Sequence, residues 1–379
     1  MQIRRLAYDR LKKLAQPGVV TIVYGPRRVG KTTLLTELVR EWPADAVASF
    51  TGDSIVDRDR LAFSDQRHLR SLLGGAKYVV VDEAQRVPNI GLSLKLIVDF
   101  LPEVTVVVSG SATFKLAHQT EEPLTGRKRT LVLYPISYPE VANFMGEVEA
   151  RVLLDRWLIW GMYPTAITTE SELERKIWLD ELVNGYLYKD ILELAGVKHA
   201  GKIVDLLRLL AYQIGAEVSV SELGRSLDMT KETVARYLDL LQQNFVLVNV
   251  RGLARNLRKE ISKNSRYYFW DNGVRNALIN NFNGLKLRND VGQLWENFGV
   301  GERLKRMTNT GQTANYYFWR THDRKEIDWV EEAGGKFLGL EFKYTEGGIK
   351  TTVGETFRQA YPNSKLAMVN RDNFNQFID

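Results

Sequence analysis

The chain has 379 residues and a mass of 43.3 kDa, length for two or three domains at about 150 residues each. Hydrophobic residues make up 44% and charged residues 26%, a globular balance that excludes a disordered chain. The absence of cysteine excludes disulfides and thiolate-bound zinc, and four scattered histidines (His68, His118, His199, His322) argue against a histidine-rich metal site. A net charge of +6, with an isoelectric point near 9.2, leans mildly toward a polyanionic partner, the alternative being solubility alone. No apolar run approaches the ~18 residues of a membrane helix, so no membrane partner is expected. The opening MQIRRLAYDRLKKLAQ has no apolar stretch after its charges and does not read as a signal peptide. A cytoplasmic location fits both this and the missing cysteines.

From Val19 to about Pro139, apolar runs alternate with amphipathic stretches. The runs VVTIVY (19–24), YVVVD (78–82) and VTVVVS (104–109) are rich in β-branched residues. Continuous runs of that kind predict buried parallel strands, and the alternation predicts an α/β sheet. From about Val141 to Gln213 the pattern is helical, with Trp157, Leu158, Trp160, Trp178 and Leu182 as core positions. After Asn289 comes a helix (QLWENFGVGERLKRM) and then strands YYFW, EIDWVEE and KFLGLEFKY, which predict a separate α+β domain.

The first chemical signal is GPRRVGKT at 25–32, which fits G-x-x-x-x-G-K-[ST] at every fixed position. An apolar strand leads in and TTLLTELVREW leads out with helical spacing of Leu34, Leu35, Leu38 and Trp42. The loop's N–H groups would cradle phosphates, so Gly25, Arg28, Gly30, Lys31, Thr32 and Thr33 are the expected ATP-binding positions. Lys31 would reach the terminal phosphates and Thr32 would place its hydroxyl on Mg2+. In VVVDEAQ (79–85), Asp82 would hold the magnesium shell and Glu83 would orient and deprotonate the attacking water. Ser109, ending VVVS, sits where a polar γ-phosphate sensor is expected; Ser109 or Ser111 could instead cap a helix. Arg127, followed by Lys128 and Arg129 in LTGRKRTLVLYPIS, lies just past the sheet. An arginine there can reach a neighbouring subunit's nucleotide, the alternative being a solvated basic loop.

Residues 217–243, EVSVSELGRSLDMTKETVARYLDLLQQ, read as a helix-turn-helix. Ser219 and Glu222 form a capping box, Met229 and Thr230 the turn. Val234, Tyr237, Leu238 and Leu241 stripe the second helix, leaving Lys231, Glu232 and Arg236 outward. The runs NFVLVNV and RYYFW follow as a wing requires. Between them RGLARNLRKEISKNSR (251–266) carries six basic residues against one acidic. Phosphate contact is the functional reading, although winged helices also dock proteins.

In FWRTHDRKEIDWVEEAGGKFLGLEFKYTE, Asp328 lies in one strand and Glu341-x-Lys343 in the next. Alternation along a strand puts Glu341 and Lys343 on one face, where Asp328 can join them. Two carboxylates there would bind magnesium, and the lysine would act on the water or the developing charge of phosphodiester attack. Glu296, on the preceding helix, is a candidate fourth member and metal ligand. A polar hairpin face is the alternative.

GPRRVGKTTLL, VVVDEAQRVP, VVVSGSA and TGRKRTLVLYPIS resemble a prokaryotic AAA-type P-loop ATP-binding family with a restriction-endonuclease-like C-terminal domain. SELGRSLDMTKETVARYLDLL, YYFWDNGVRNAL, GQLWENFGVGERL, YYFWRTHDRKEIDWV and GLEFKY extend the resemblance, in the same order, over nearly the whole chain. It implies an AAA-like α/β P-loop ATPase at 1–140, a helical region at 141–213, a winged helix at 214–288 and an α+β PD-(D/E)xK nuclease-like domain at 289–379. The positions that match the family are Lys31, Thr32, Asp82, Glu83, Arg127, Glu296, Asp328, Glu341 and Lys343.

Together these readings predict an ATP-dependent DNA-processing protein. It would be a homo-oligomer, with a hexamer as the expected ring, that binds duplex or branched DNA such as Holliday junctions and cuts it. The alternative is a nucleotide-controlled DNA- or partner-binding switch of signalling or defence type, with a silent nuclease fold.

Overall fold

In the computed structural model, residues 2–62, 67–110, 124–187, 200–254 and 265–378 are described. They fall into two compact units, Gln2–Ile136 and Ser137–Asp379.

The first unit opens with helix α1 (Ala7–Leu14) and is built on five parallel strands: β1 (Val20–Tyr24), β2 (Val47–Thr51), β3 (Tyr78–Asp82), β4 (Thr105–Gly110) and β5 (Lys128–Val132). Their order is β2-β3-β4-β1-β5. The three expected strands are the central ones, and Val20, Ile22, Val79, Val81, Val106 and Val108 are fully buried there. Helix α2 (Lys31–Val39) follows β1 and buries Leu34, Leu35 and Leu38. Helix α3 (Ile90–Phe100) precedes β4 and buries Ile90, Leu94 and Ile97. The Arg127–Arg129 run departs from expectation. It does not lie past the sheet: Lys128 and Arg129 open β5, paired to Val20 and Thr21. Without β5 the second edge of β1 would have no hydrogen-bonding partner.

In the second unit, short helices from Tyr138 onward enclose Trp157 and Leu158, which are core residues as their spacing suggested. Helices α4 (Val220–Leu227) and α5 (Lys231–Gln243) form the two-helix motif. The hydroxyls of Ser219 and Thr230 accept from Glu222 N and Thr233 N and so cap the two helices. Val234, Tyr237, Leu238 and Leu241 are buried, and Lys231, Glu232 and Arg236 are exposed. Strands β6 (Glu217–Val218), β7 (Leu247–Gly252) and β8 (Ser265–Phe269) pack beside them. Helix α6 (Val291–Thr310) then leads to β9 (Asn315–Arg320), β10 (Glu326–Ala333), β11 (Lys336–Phe342) and, after a helix at Thr351–Ala360, β12 (Ser364–Val369).

The seven strands form one sheet, ordered β12-β11-β10-β9-β7-β8-β6. A boundary at 288/289 therefore falls within a shared sheet. The joint is a short parallel pairing of β7 with β9, Arg251 opposite Tyr317 and Gly252 opposite Phe318. Trp319, Ile327, Val330, Val353 and Phe357 form a core on the β9–β10 side.

Candidate functional site

The phosphate loop runs from the end of β1 into α2. Gly30 caps α2 at φ 96°, a left-handed value that a side chain would strain. Lys31 is buried, and its ammonium donates to the carbonyls of Gly25 (2.9 Å) and Pro26 (2.8 Å). Arg28, Thr32 and Thr33 are exposed on the loop and the first turn of the helix. Arg5 braces the loop from outside the motif, donating to Val29 O at 2.7 Å and Tyr134 O at 2.6 Å. No sequence signal marked Arg5, because its partners are backbone carbonyls.

Strand register brings the second half of the site to the loop. Val81 pairs with Val108, which sets Asp82 beside Ser109 at the carboxyl ends of β3 and β4. Thr32 Oγ1 donates to Asp82 Oδ2 at 2.7 Å, and the Ser109 hydroxyl donates to Asp82 Oδ1. Ser109 Oγ in turn accepts from Glu83 N at 3.1 Å. Ser109 thus positions both acidic residues. Glu83 is left-handed at φ 49°, and its Oε2 accepts from Gln85 Nε2 at 2.6 Å. A hydroxyl and a carboxylate already in contact are the hard-oxygen set that suits magnesium, so Thr32 and Asp82 fit that ion. Arg127 stands elsewhere. It precedes β5 at the amino ends of the strands, with its carbonyl accepting from Val20 N, and its guanidinium forms an ion pair with Asp99.

The second cluster forms where α6, β8, β10 and β11 meet. Asn297 ties α6 to β8, accepting from Phe269 N (2.7 Å) and donating to Phe269 O (3.0 Å). Gly299 lets α6 approach β11: a Cβ there would overlap the Phe342 ring. Glu296 then accepts from the Tyr268 hydroxyl at 2.6 Å. The β9–β10 register shifts between Ile327 and Val330, and Asp328, in that irregular stretch, accepts from Phe342 N at 3.0 Å. Lys343 pairs with Glu341 at 2.9 Å, on one face as the alternation required.

Arg266 stands inside this cluster. Its Nη1 lies 3.5 Å from Asp328 and 3.6 Å from Glu296, and its Nη2 lies 2.8 Å from Glu326. Arg266 does not take the phosphate-contacting place expected of it as the last residue of the 251–266 strip. That placement is corrected: only 4% of Arg266 is exposed, and its guanidinium covers the Phe318 ring. Three carboxylates drew it inward. Residues 255–264 of the strip lie outside the described residues, as does Ser111.

The carboxyls carry the electrostatic mark of crowding. Burial, outweighing the Phe342 N–H and the Arg266 charge, raises Asp328. Burial and then the Asp328 charge raise Glu341. Glu296 is pushed up to about 8, first by burial and then by Asp328. Lys343 is held cationic, because the hydrogen bond and charge of Glu341 overcome the burial that would lower it. The donor chemistry suits a divalent cation, and Glu341 Oε2 is buried without a hydrogen-bond partner. The arrangement itself is not closed, however: among the described residues no three acidic, histidine or cysteine side chains are grouped to hold a metal. The expected trio of Glu296, Asp328 and Glu341 converges without forming a ready-made metal centre.

This crowding has a pH consequence. A carboxyl raised in the folded state keeps its proton where the unfolded chain has lost it, so stability declines as pH rises from 4.5 to about 8. Glu296→Gln is expected to flatten that decline in urea denaturation measured across the window. A decline as steep as that of the wild type would acquit Glu296 as its source.

Residues 18–142 match the AAA domain family. Residues 151–285 and 291–379 match two domains of unknown function, DUF8612 and DUF4143. An uncharacterised protein of Mycobacterium tuberculosis is 28% identical over 368 residues, covering 96% of this chain and 78% of its own length. One from Haemophilus influenzae is 23% identical over 360 residues, covering 89% and 85%. Among solved structures, AMPPCP-bound DnaA from Aquifex aeolicus is similar over 62% of this chain and 85% of its own, at 15% identity and a TM-score of 0.26. A DNA polymerase III gamma subunit-related protein from Thermotoga maritima covers 64% and 97%, at 15% identity and a TM-score of 0.25. The family match and the loop geometry agree: the first unit carries an AAA-type P-loop domain. Among the described residues, no helix is long and apolar enough to cross a membrane.

Proposed function

We propose that this is an ATP-dependent DNA-processing enzyme. ATP hydrolysis in the first unit drives the binding and handling of DNA by the second, which cuts phosphodiesters at the Asp328 cluster. Branched DNA of the Holliday-junction type is the proposed substrate. One observation carries the reading: a connected Thr32–Asp82–Ser109 site and a converged Asp328, Glu341 and Lys343 lie on one chain. Two capped helices followed by paired strands support the winged-helix reading of the second unit, and its α+β sheet supports the PD-(D/E)xK nuclease-like one.

Magnesium at either site would neutralise phosphate charge and lower the pKa of a bound water. The protein's own residues do the rest. Lys31 exchanges two loop carbonyls for the terminal phosphates of ATP. Ser109 holds Asp82 and Glu83 in place, and Glu83 accepts the proton of the attacking water. At the second site Lys343, kept cationic by Glu341, stabilises the charge that develops on the phosphate. Incubation with linear, forked and four-way DNA, with and without ATP and magnesium, tests the whole. Metal-dependent, ATP-stimulated cutting is expected, with the four-way form preferred. Intact substrates under every condition would overturn it.

The buried Arg266 favours a second reading, a nucleotide-controlled DNA- or partner-binding switch of signalling or defence type whose acidic cluster is silent. In that case ATP changes DNA affinity without any cleavage.

Two further results are expected. Arg127 is too far along the sheet to serve its own loop, so it acts in trans within a homo-oligomer, a hexamer in the proposed ring. Mixing Arg127→Ala with Lys31→Ala subunits restores part of the ATPase that each lacks; a monomer with full ATPase would end the idea. DNA affinity falls steeply with salt, by a slope of about 0.9 per phosphate contact. Reversing the charges of Arg255, Arg258 and Lys259 weakens binding and flattens that slope. Indifference to these changes would make the two-helix motif a protein-docking element.

A further inference from the structure

Three acidic side chains form ion pairs with Arg266. Its Nη1 lies between Asp328 Oδ1 (3.5 Å) and Glu296 Oε1 (3.6 Å), carboxyls of β10 and α6 that would help hold a divalent cation. Nη2 is anchored by Glu326 at 2.8 Å, and the guanidinium plane rests on Phe318, 4.6 Å from the ring centroid. Glu341, near Asp328, is paired on one oxygen with Lys343, and its other oxygen is buried without a partner. Where these crowded carboxyls are ionised, the buried ones need positive charge among them. A guanidinium supplies one charge spread over a plane; a metal ion supplies two at a point and gathers oxygens to within about 2–2.6 Å. The two cannot occupy the gap between Asp328 and Glu296 together.

We propose that Arg266 is a resident competitor for the divalent cation: it fills the metal position of the acidic cluster and must swing out before metal can bind. The proposal rests on the cleavage reading of the cluster and adds its control. It accounts for carboxylates that converge without closing into a metal centre. Arg266 is therefore a positioning residue. Its β8 strand pairs with β6 and β7 beside the two-helix motif, so movement of that hairpin shifts the competitor.

The test measures Mn2+ binding to nucleotide-free full-length protein, by calorimetry and by the loss of the free-ion paramagnetic resonance signal. Wild type should bind weakly at the cluster. Arg266→Gln, which keeps a hydrogen-bond donor and removes the charge, should bind roughly tenfold or more tightly. Asp328→Asn combined with Arg266→Gln should cancel that gain, and Arg266→Lys should stay near wild type. Unpaired carboxylates will weaken the fold of Arg266→Gln, so its melting temperature is followed as well. Mn2+ should raise it strongly, or refold the variant if it is purified unfolded. Equal Mn2+ affinity in wild type and Arg266→Gln overturns the proposal. So does a gain that survives Asp328→Asn, tight binding by Arg266→Lys, or a melting temperature that Mn2+ leaves unmoved. No DNA enters the measurement. A variant that binds Mn2+ through Asp328 yet never cuts keeps the competitor and ends the cleavage reading. Cutting by a wild type whose Arg266→Gln gains no affinity does the reverse.

Discussion

Lys31→Ala is expected to abolish nucleotide binding, whereas Glu83→Gln binds ATP and stalls before hydrolysis. The two residues are expected to fail at different steps because the proposed reaction gives them different tasks. Lys31 is a buried cation held by Gly25 O and Pro26 O, ready to trade those carbonyls for phosphate oxygens. Its removal leaves the loop's carbonyls without a donor and the phosphates without a charge partner. Glu83 is held through Ser109 and Gln85. A glutamine there preserves the hydrogen-bonding shape and loses the base, which costs roughly 10²–10⁴-fold in turnover. Filter binding of labelled ATP and a phosphate-release assay separate the two outcomes. Undiminished turnover in both variants would remove the ATPase assignment.

Asp328→Asn is expected to eliminate DNA cleavage while DNA affinity holds or rises. The asparagine oxygen still accepts from Phe342 N, so the local backbone keeps its bond. What disappears is a negative charge that would face the phosphate in the proposed cleavage. Lys343→Ala should also lose cleavage, by roughly 10²–10³-fold if the ammonium stabilises developing charge. Lys343 is half-exposed and pairs only with Glu341 among the described ion pairs, so the fold survives its loss. Gel analysis of cut DNA beside a binding isotherm reads both effects. Asp328→Asn protein that cuts like wild type would show that the site is no nuclease.

The parts of this molecule that could be read from its sequence are those whose causes are local. β1, β3 and β4 are buried on both faces, and each shows as an uninterrupted apolar run. β2 reads VASFT and β5 reads KRTLV; both are edge strands whose half-exposed residues carry no such pattern. The phosphate loop and the Glu341–Lys343 pair were legible because spacing along one element sets their geometry. Asp328 was readable as a neighbour, whereas the register shift that accompanies its approach to Phe342 N was not. Arg266 was misread for a different reason. Basic residues crowd its segment, and only partners 30 to 62 positions away in the chain, Glu296, Glu326 and Asp328, draw it inward.

The short parallel joint between β7 and β9 bears on how this gene can be dissected. The two family matches meet between 285 and 291, which invites cloning of the last 89 residues as a free-standing cassette. Such a cassette would begin with α6 and present β9 with a bare backbone edge where β7 had been, an invitation to clump with its own copies. It would also carry Glu296, Glu326 and Asp328 without the arginine that neutralises them, since Arg266 would remain on the discarded side. A graft of this segment onto another ATPase would succeed only with its upstream hairpin attached. Heredity would then pass on the acidic pocket and its cation as one parcel, whatever boundary the two families suggest.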